Sequence, residues 1–246
     1  MDRNTVTRRA LMLAGASAAT LALLSGCDNP EREIASLKAQ VQVAYGEKNF
    51  KDVAALAEQG YTLALKAKGP KSGDTLYFAQ SLSEGYTEQG NKRAALAALD
   101  REIELRLAAG QGERKLQARR TLAIKFAEET GDKAAAVRHA LAIAQDIGME
   151  RGKDPQPVYR TETAYPPEQF RRAVEGDVTI EYALDATGAV TDARVVDATP
   201  PSVFDAAALA SFRDWRFTPM LDGGRPVDSR GHRFTLMFRL GGRNLA

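Results

Sequence analysis

Apolar residues recur every three or four positions through the first half of the chain, a spacing that places them on one face of an α-helix. Six such stripes lie between residues 31 and 147, and each ends at a turn that contains glycine. The first helix is expected to carry Ile34, Leu37, Val41 and Ala44, the second Val53, Leu56, Tyr61 and Leu65, and the third, capped by Asp74, Leu76, Ala79, Leu82 and Tyr86. Residues 94–107, 116–130 and 134–147 are predicted to form the other three.

The turns of this helical half repeat. An aromatic residue, a polar turn and an alanine-rich helix start recur at Tyr45, Tyr86 and Phe126, which are 41 and 40 residues apart. Such a period is typical of helical-hairpin arrays, in which each hairpin buries its apolar face against the next. Residues 31–147 resemble tetratricopeptide repeats of longer spacing, although most landmark residues of that class are missing. Two roles are open for them: binding a partner protein or acting as a spacer.

The last third changes to the period of two that is typical of strands. Val178, Ile180, Tyr182 and Leu184 alternate with polar or small residues, and the glycine turn at 185–188 leads to a second strand over 189–197. The parity of apolar residues shifts within that second strand, which predicts a β-bulge. A helix is expected next, with a buried stripe of Phe204, Ala208, Phe212 and Trp215, and then a turn at 222–224 and a final strand that carries Phe234, Leu236, Phe238 and Leu240 on one face.

The two halves are joined by residues 148–164, which contain glycines, prolines and charges and are predicted to be an extended linker. A short helix follows Tyr165-Pro166-Pro167, because proline is tolerated in a first helical turn. The predicted architecture is α + (α+β): a helical-hairpin array over 31–147 and a small α+β domain over 165–246.

The N-terminus has the features of an export signal. Arg8-Arg9 precedes an uncharged apolar stretch of 15 residues, 10–24, which is too short to span a bilayer comfortably. Cys27 follows Leu24-Ser25-Gly26, which resembles the bacterial lipobox. We therefore predict a signal peptide over 1–26, lipidation of Cys27, and a tether over 27–30 that holds the chain on the periplasmic face of a membrane. Asp28 favours the inner membrane, while export through the general or the twin-arginine route stays open.

Charge and composition exclude several functions. Removal of residues 1–26 takes away three arginines and one aspartate and leaves 31 basic and 31 acidic residues, without the basic excess typical of nucleic-acid-binding proteins. A single cysteine cannot form an intramolecular disulfide. The two histidines, His139 and His232, are far apart in sequence, and no phosphate loop, nucleophile motif or metal-ligand spacing is present. The chain is expected to be no enzyme and to bind neither cofactor nor metal.

Four segments of the last third carry a family resemblance. YPPEQ, GDVTIEYALDATGAVTDARVV, FDAAALASFRDWRFTP and GGRPVDSRGHRFTLMFRL resemble, in order and spacing, the C-terminal domain of the TonB energy-transducer family. The resemblance implies a three-stranded antiparallel sheet with helices packed on one side. It places Trp215 and Phe217, in the WRFTP segment, in the core of that domain.

In that family the domain binds a short receptor peptide, the TonB box, which adds to the last strand as an extra strand. The resemblance therefore implies a peptide-binding surface along the final strand, with the segment before the first helix nearby. The residues implied are Glu162, Tyr165, Pro166, Arg233, Phe234, Thr235, Leu236, Met237 and Phe238.

The chain departs from the family upstream of this domain. A transducer of the family has a permanent transmembrane helix with a functional histidine, followed by a rod rich in proline and lysine. Here a short apolar segment without histidine and a helical array stand in their place. We therefore expect an envelope lipoprotein that binds proteins or peptides by strand addition, an adaptor in or near TonB-dependent transport. The alternatives are a true energy transducer coupled to the proton motive force and a structural spacer of the cell envelope.

Overall fold

The computed structural model describes residues 29–111 and 113–240, and for 113–115 the backbone alone. The predicted signal peptide over 1–26, Cys27 and Asp28 lie outside the described residues and stay predictions. Six helices form the first half, and each packs mainly against the helix before and after it in sequence. They are α1 (Pro30–Gly46), α2 (Phe50–Lys68), α3 (Gly73–Glu88), α4 (Lys92–Ala108), α5 (Glu113–Thr130) and α6 (Lys133–Asp146).

The turns within the three hairpins share the same kind of cap at the start of the helix that follows. The side chains of Asn49, Asn91 and Asp132 accept hydrogen bonds from the backbone N–H groups three residues further on, at 3.3, 3.3 and 3.0 Å. Each bond satisfies one of the donors that a helix start leaves open. The predicted array of helical hairpins is thereby confirmed, with its three short turns built alike.

One local prediction in the array is wrong, and another is met only in part. Ser72 caps α3, because its hydroxyl accepts from Thr75 N–H at 3.0 Å. Asp74 lies inside the first turn, where its carboxylate pairs with Lys38 and Lys68 at 2.8 Å each. The buried face of α2 is made of small residues rather than Leu56, Tyr61 and Leu65, which are half-buried; it consists of Val53, Ala54, Ala57, Gly60 and Ala64. Small side chains are needed on this face because α3 approaches closely. A Cβ on Gly60 would lie only 2.2 Å from the Phe78 ring.

The C-terminal half is the predicted α+β domain. Its main sheet has three antiparallel strands in the order β3-β2-β7, with the apolar side chains of β2 facing the buried α8. The predicted bulge is also found, since the β2–β3 register skips Val196. The elements are β1 (Pro157–Tyr159), α7 (Pro167–Arg171), β2 (Gly176–Leu184), β3 (Val190–Thr199), α8 (Asp205–Phe212), β4 (Arg216–Phe217), β5 (Met220–Asp222), β6 (Arg225–Val227) and β7 (Ser229–Phe238).

Aromatic rings fill the core between α8 and the sheet. Trp215 and Phe217 are buried there as predicted, although α8 ends at Phe212, so that Trp215 follows the helix rather than extending its stripe. Tyr182 stacks on Phe217 with ring centroids 4.8 Å apart. Such ring pairs add about 0.5–1.5 kcal/mol each beyond the burial of their area. No helix among the described residues is long and apolar enough to cross a membrane.

Candidate functional site

The strand β7 lies at one edge of the three-stranded sheet. It pairs with β2 from Gly176↔Phe238 to Tyr182↔His232 without a break, and within the described residues no strand pairs with its other side. Gly231, with a φ of 77°, forms the bulge that precedes this regular stretch. Seven consecutive residues, 232–238, therefore present one open edge.

The alternation of the sheet fixes which backbone groups face that edge. Asp185 donates its N–H to the carbonyl of Ala189, so the odd-numbered residues of β2 face β3 and the even-numbered ones face β7. Their partners on β7 are also even-numbered. The N–H and C=O groups of the odd-numbered residues, Arg233, Thr235 and Met237, consequently point outward.

Side chains on the solvent face of the sheet form cross-strand rows beside this edge. Glu181 on β2 accepts from Arg194 on β3 at 2.5 Å and from Arg233 on β7 at 3.5 Å. The hydrogen bond from Arg194 lowers the pKa of the Glu181 carboxyl, which extends its charged range toward lower pH. The next row joins the hydroxyls of Thr179 and Thr235 at 3.0 Å. The face beside the edge is thus polar and ordered.

The even-numbered apolar residues of β7, three of the predicted site residues, turn the other way. Leu236 and Phe238 are buried, and Phe234 is half-buried, with its ring 5.8 Å from that of Phe212 and 5.3 Å from that of Trp215. Their backbone groups face β2 by the same alternation. These residues hold β7 in place, so an added strand would meet the backbone of Arg233, Thr235 and Met237 instead.

The segment before α7 runs along the core side of β7. Arg160 lies over the Phe234 ring at 5.7 Å, and Tyr165, five residues later, packs against the Phe238 ring at 5.7 Å. The Tyr165 hydroxyl donates to the carbonyl of Val174 at 2.5 Å. Between them, Glu162 is exposed. The structure therefore brings Arg160 and Tyr165 against β7, with Tyr165 anchored in the core.

One aromatic side chain at this end was not predicted to be part of the site. Phe170 on α7 is 62% exposed, and its ring lies 5.9 Å from that of Tyr165. Pro166 forms the N-terminal boundary of the same short helix. Tyr165 in turn packs against Phe238, so the exposed ring is linked to β7 through one intervening side chain. Its helical position in the sequence suggested only the apolar side of α7.

The opposite edge of the sheet, β3, is less accessible to an added strand. Its pairing with β2 shifts register twice, between Thr179/Ile180 and between Ala183/Leu184. Exposed charged side chains alternate along it: Asp192, Arg194 and Asp197. Bulges and edge charges are the usual devices that prevent strand addition. We therefore regard β7 as the candidate edge.

Comparison with known proteins shows what this domain is similar to. Residues 161–240 match the family model described as the Gram-negative bacterial TonB protein C-terminal. The segment is similar to TonB C-terminal domains. The match leaves the helical array, residues 30–146, outside it.

Proteins named TonB are among those similar to this domain. Protein TonB of Yersinia enterocolitica is 28% identical over 95 residues, which cover 39% of this chain and 34% of that protein. Protein TonB of Vibrio cholerae is 32% identical over 78 residues, which cover 32% of each chain. The solved C-terminal domain of Pseudomonas aeruginosa TonB is 26% identical, covers 38% of this chain and 93% of that one, and gives a TM-score of 0.32. The chain thus spans about a third of the length of these curated relatives.

One histidine lies in the helical array, and the other lies at the start of the open edge of β7. His139 is buried on α6, with Nε2 2.8 Å from Asp100. His232 packs on Tyr182 and lies 2.8 Å from the Ser229 hydroxyl; burial lowers its pKa. Among the described residues no group of three or more His, Cys, Asp or Glu side chains is placed to hold a metal ion.

Proposed function

We propose that the TonB C-terminal domain of this chain captures an extended peptide by strand addition to the outer edge of β7. The observation that carries the proposal is the row of outward backbone groups on Arg233, Thr235 and Met237, which no strand of the described residues pairs. Each residue offers one donor and one acceptor, and a net contribution of about 0.5–1.5 kcal/mol per hydrogen bond is typical. Six such bonds sum to about 3–9 kcal/mol, a Kd from the millimolar to the sub-micromolar range before entropy losses are subtracted.

Side chains beside the edge would then select among peptides. A captured strand alternates its side chains between the polar face with Arg233 and Thr235 and the side that carries Tyr165 and the exposed Phe170. One face of the peptide is therefore expected to be polar and the other apolar near α7. The TonB relatives support the nature of the partner: an extended segment of a receptor in a TonB-dependent system.

For the whole chain, we propose an envelope lipoprotein, anchored through Cys27 on the periplasmic side of a membrane. In this scheme it acts as an adaptor in or near TonB-dependent transport, with the helical array as a second contact surface. Mass spectrometry of the mature N-terminus separates a lipoprotein from an energy transducer. A diacylglyceryl-modified Cys27 supports the lipid anchor, whereas an uncleaved N-terminal segment supports an energy transducer.

Hydrogen exchange tests peptide capture on the purified full chain. The probe is a synthetic peptide with the TonB box of a receptor from the same bacterium, and a scrambled peptide is the control. The TonB-box peptide should slow exchange at the amides of Arg233, Thr235 and Met237, because they become hydrogen-bonded. The scrambled peptide should leave their exchange unchanged. If binding is observed and only the amides of β3 are slowed, the proposed edge is wrong.

A further inference from the structure

The C-terminal domain contacts the last hairpin of the helical array through a buried apolar cluster. Met149, just after α6, and Ala144 within it pack against Met220 and Leu221 of β5, and all four are almost fully buried. Leu141, Ile147 and Val227 surround them. The cluster joins residues more than 70 positions apart, so it closes the end of the array against the β5–β6 hairpin.

A buried ion pair lies in a second contact between the same two units. The Glu128 carboxylate near the end of α5 accepts from the Arg216 guanidinium of β4, and both side chains are more than 90% buried. Arg216 also donates to the Thr187 carbonyl, at 2.9 Å, in the β2–β3 turn. Burial opposes ionisation of Glu128, but the hydrogen bonds from Lys133 and Arg216 outweigh it and hold the pKa of its carboxyl below the usual range. One guanidinium thus ties α5 to the main sheet.

The connector between the two units is fixed as well. Its strand β1 pairs with β4 at Pro157↔Phe217 and Tyr159↔Arg216. Thr218 donates its N–H to the Gln156 carbonyl at 2.8 Å, and the Thr218 hydroxyl accepts from Gln156 N–H at 3.0 Å. Arg151 reaches Asp222 at 3.0 Å on the surface. Residues predicted to form an extended linker are therefore hydrogen-bonded to the domain that they precede.

We infer that the helical array and the TonB C-terminal domain form one rigid body, joined through Glu128–Arg216, the Met149–Leu221 cluster and the β1–β4 ladder. Domains joined by a free linker move relative to each other by default, whereas a buried charge pair and an apolar cluster resist separation. The open edge of β7 then sits at a fixed distance and orientation from every surface of the array. A partner bound to the array and a peptide bound to β7 would therefore be held at a fixed distance and orientation relative to each other.

This inference does not depend on peptide capture and is tested without a peptide. Hydrogen exchange is measured on the full chain and on three variants: Glu128→Gln, Met220→Ala and the control Lys133→Gln. Lys133 also pairs with Glu128, but its side chain is 68% exposed, so its loss leaves the buried contact intact. In the unmodified chain the amides of β1, β4 and Thr218 should be protected. Glu128→Gln and Met220→Ala should each speed their exchange at least about tenfold, because a buried contact is weakened.

The amides of Val178 and Ile180 report whether the domain itself stays folded. They should keep their protection in all variants, and Lys133→Gln should leave β1 and β4 unchanged. The inference is overturned if β1, β4 and Thr218 exchange as fast as an unstructured linker in the unmodified chain. It is also overturned if Glu128→Gln and Met220→Ala leave these amides as protected as Lys133→Gln does.

Discussion

Replacing Thr235 with proline removes one outward donor from the middle of the open edge. The outward direction of this N–H means that no hydrogen bond to β2 is lost, and proline is tolerated on edge strands for that reason. A captured peptide would lose one hydrogen bond, about 0.5–1.5 kcal/mol, and leave one of its carbonyls unpaired, about 1–3 kcal/mol. Together these effects, about 1.5–4.5 kcal/mol, should raise the Kd by a factor of roughly ten to two thousand.

Thr235→Val is the matched control. It keeps the N–H and the branched Cβ and removes only the exposed hydroxyl contact with Thr179. Fluorescence anisotropy with a labelled TonB-box peptide gives the Kd of both variants, and circular dichroism shows that each remains folded. We expect the valine variant to bind within about threefold of the unmodified chain. Binding of the folded proline variant with an unchanged Kd would refute capture at this edge.

Other predictions concern stability and pH. Gly60→Ala should lower the free energy of unfolding of the array by about 1–3 kcal/mol in urea titrations, because the new methyl group would overlap the buried Phe78 ring; Gly46→Ala, with open space around it, should not destabilise. Tyr165→Phe should lower the free energy of unfolding of the C-terminal domain by about 1 kcal/mol, because the hydrogen bond to the Val174 carbonyl is lost. Burial opposes ionisation of Asp185, but hydrogen bonds from Thr187 and Ala189 outweigh it and lower its pKa. The stability that this carboxylate adds is therefore present above its unfolded pKa and lost as the pH falls through the folded value, a loss that Asp185→Asn should remove from acid-unfolding curves.

Local chemistry made much of this fold predictable. Glycines in the sequence predicted the ends of the helices. The alternation of apolar residues from Val178 to Leu184 predicted the strand β2. The bulge in β3 could be predicted because two adjacent apolar residues, Val195 and Val196, break the alternation within that strand. These features depend on near neighbours in the chain, so the sequence contains their signal.

Contacts between distant segments were not predictable in the same way. Nothing near Pro157–Tyr159 indicates a strand, because the partner of that strand is β4, about 60 residues later. Glu128 and Arg216 look like ordinary surface charges in sequence and meet only after both units have folded. The alanine-based face of α2 likewise depends on the position of Phe78 on the next helix.

The sequence predicted the buried face of β7 but not the direction of its backbone groups. Alternation indicated that one face of β7 is core, and Leu236 and Phe238 are buried there. Which residues turn their backbone outward depends on the pairing of β2 with both neighbours, and this pairing selects Arg233, Thr235 and Met237. The exposed Phe170 has no sequence signal that distinguishes it from a packed helical residue.

Site-specific photo-crosslinking tests the central claim most directly. A photoreactive amino acid is placed at Met237 on β7 or, as the control, at Asp192 on the opposite edge strand, and each full chain is irradiated with a TonB-box peptide. Strand addition at β7 predicts a peptide adduct from position 237 that an excess of unlabelled peptide abolishes, and none from position 192. An adduct from position 192 alone, or equal adducts from both positions, would contradict it.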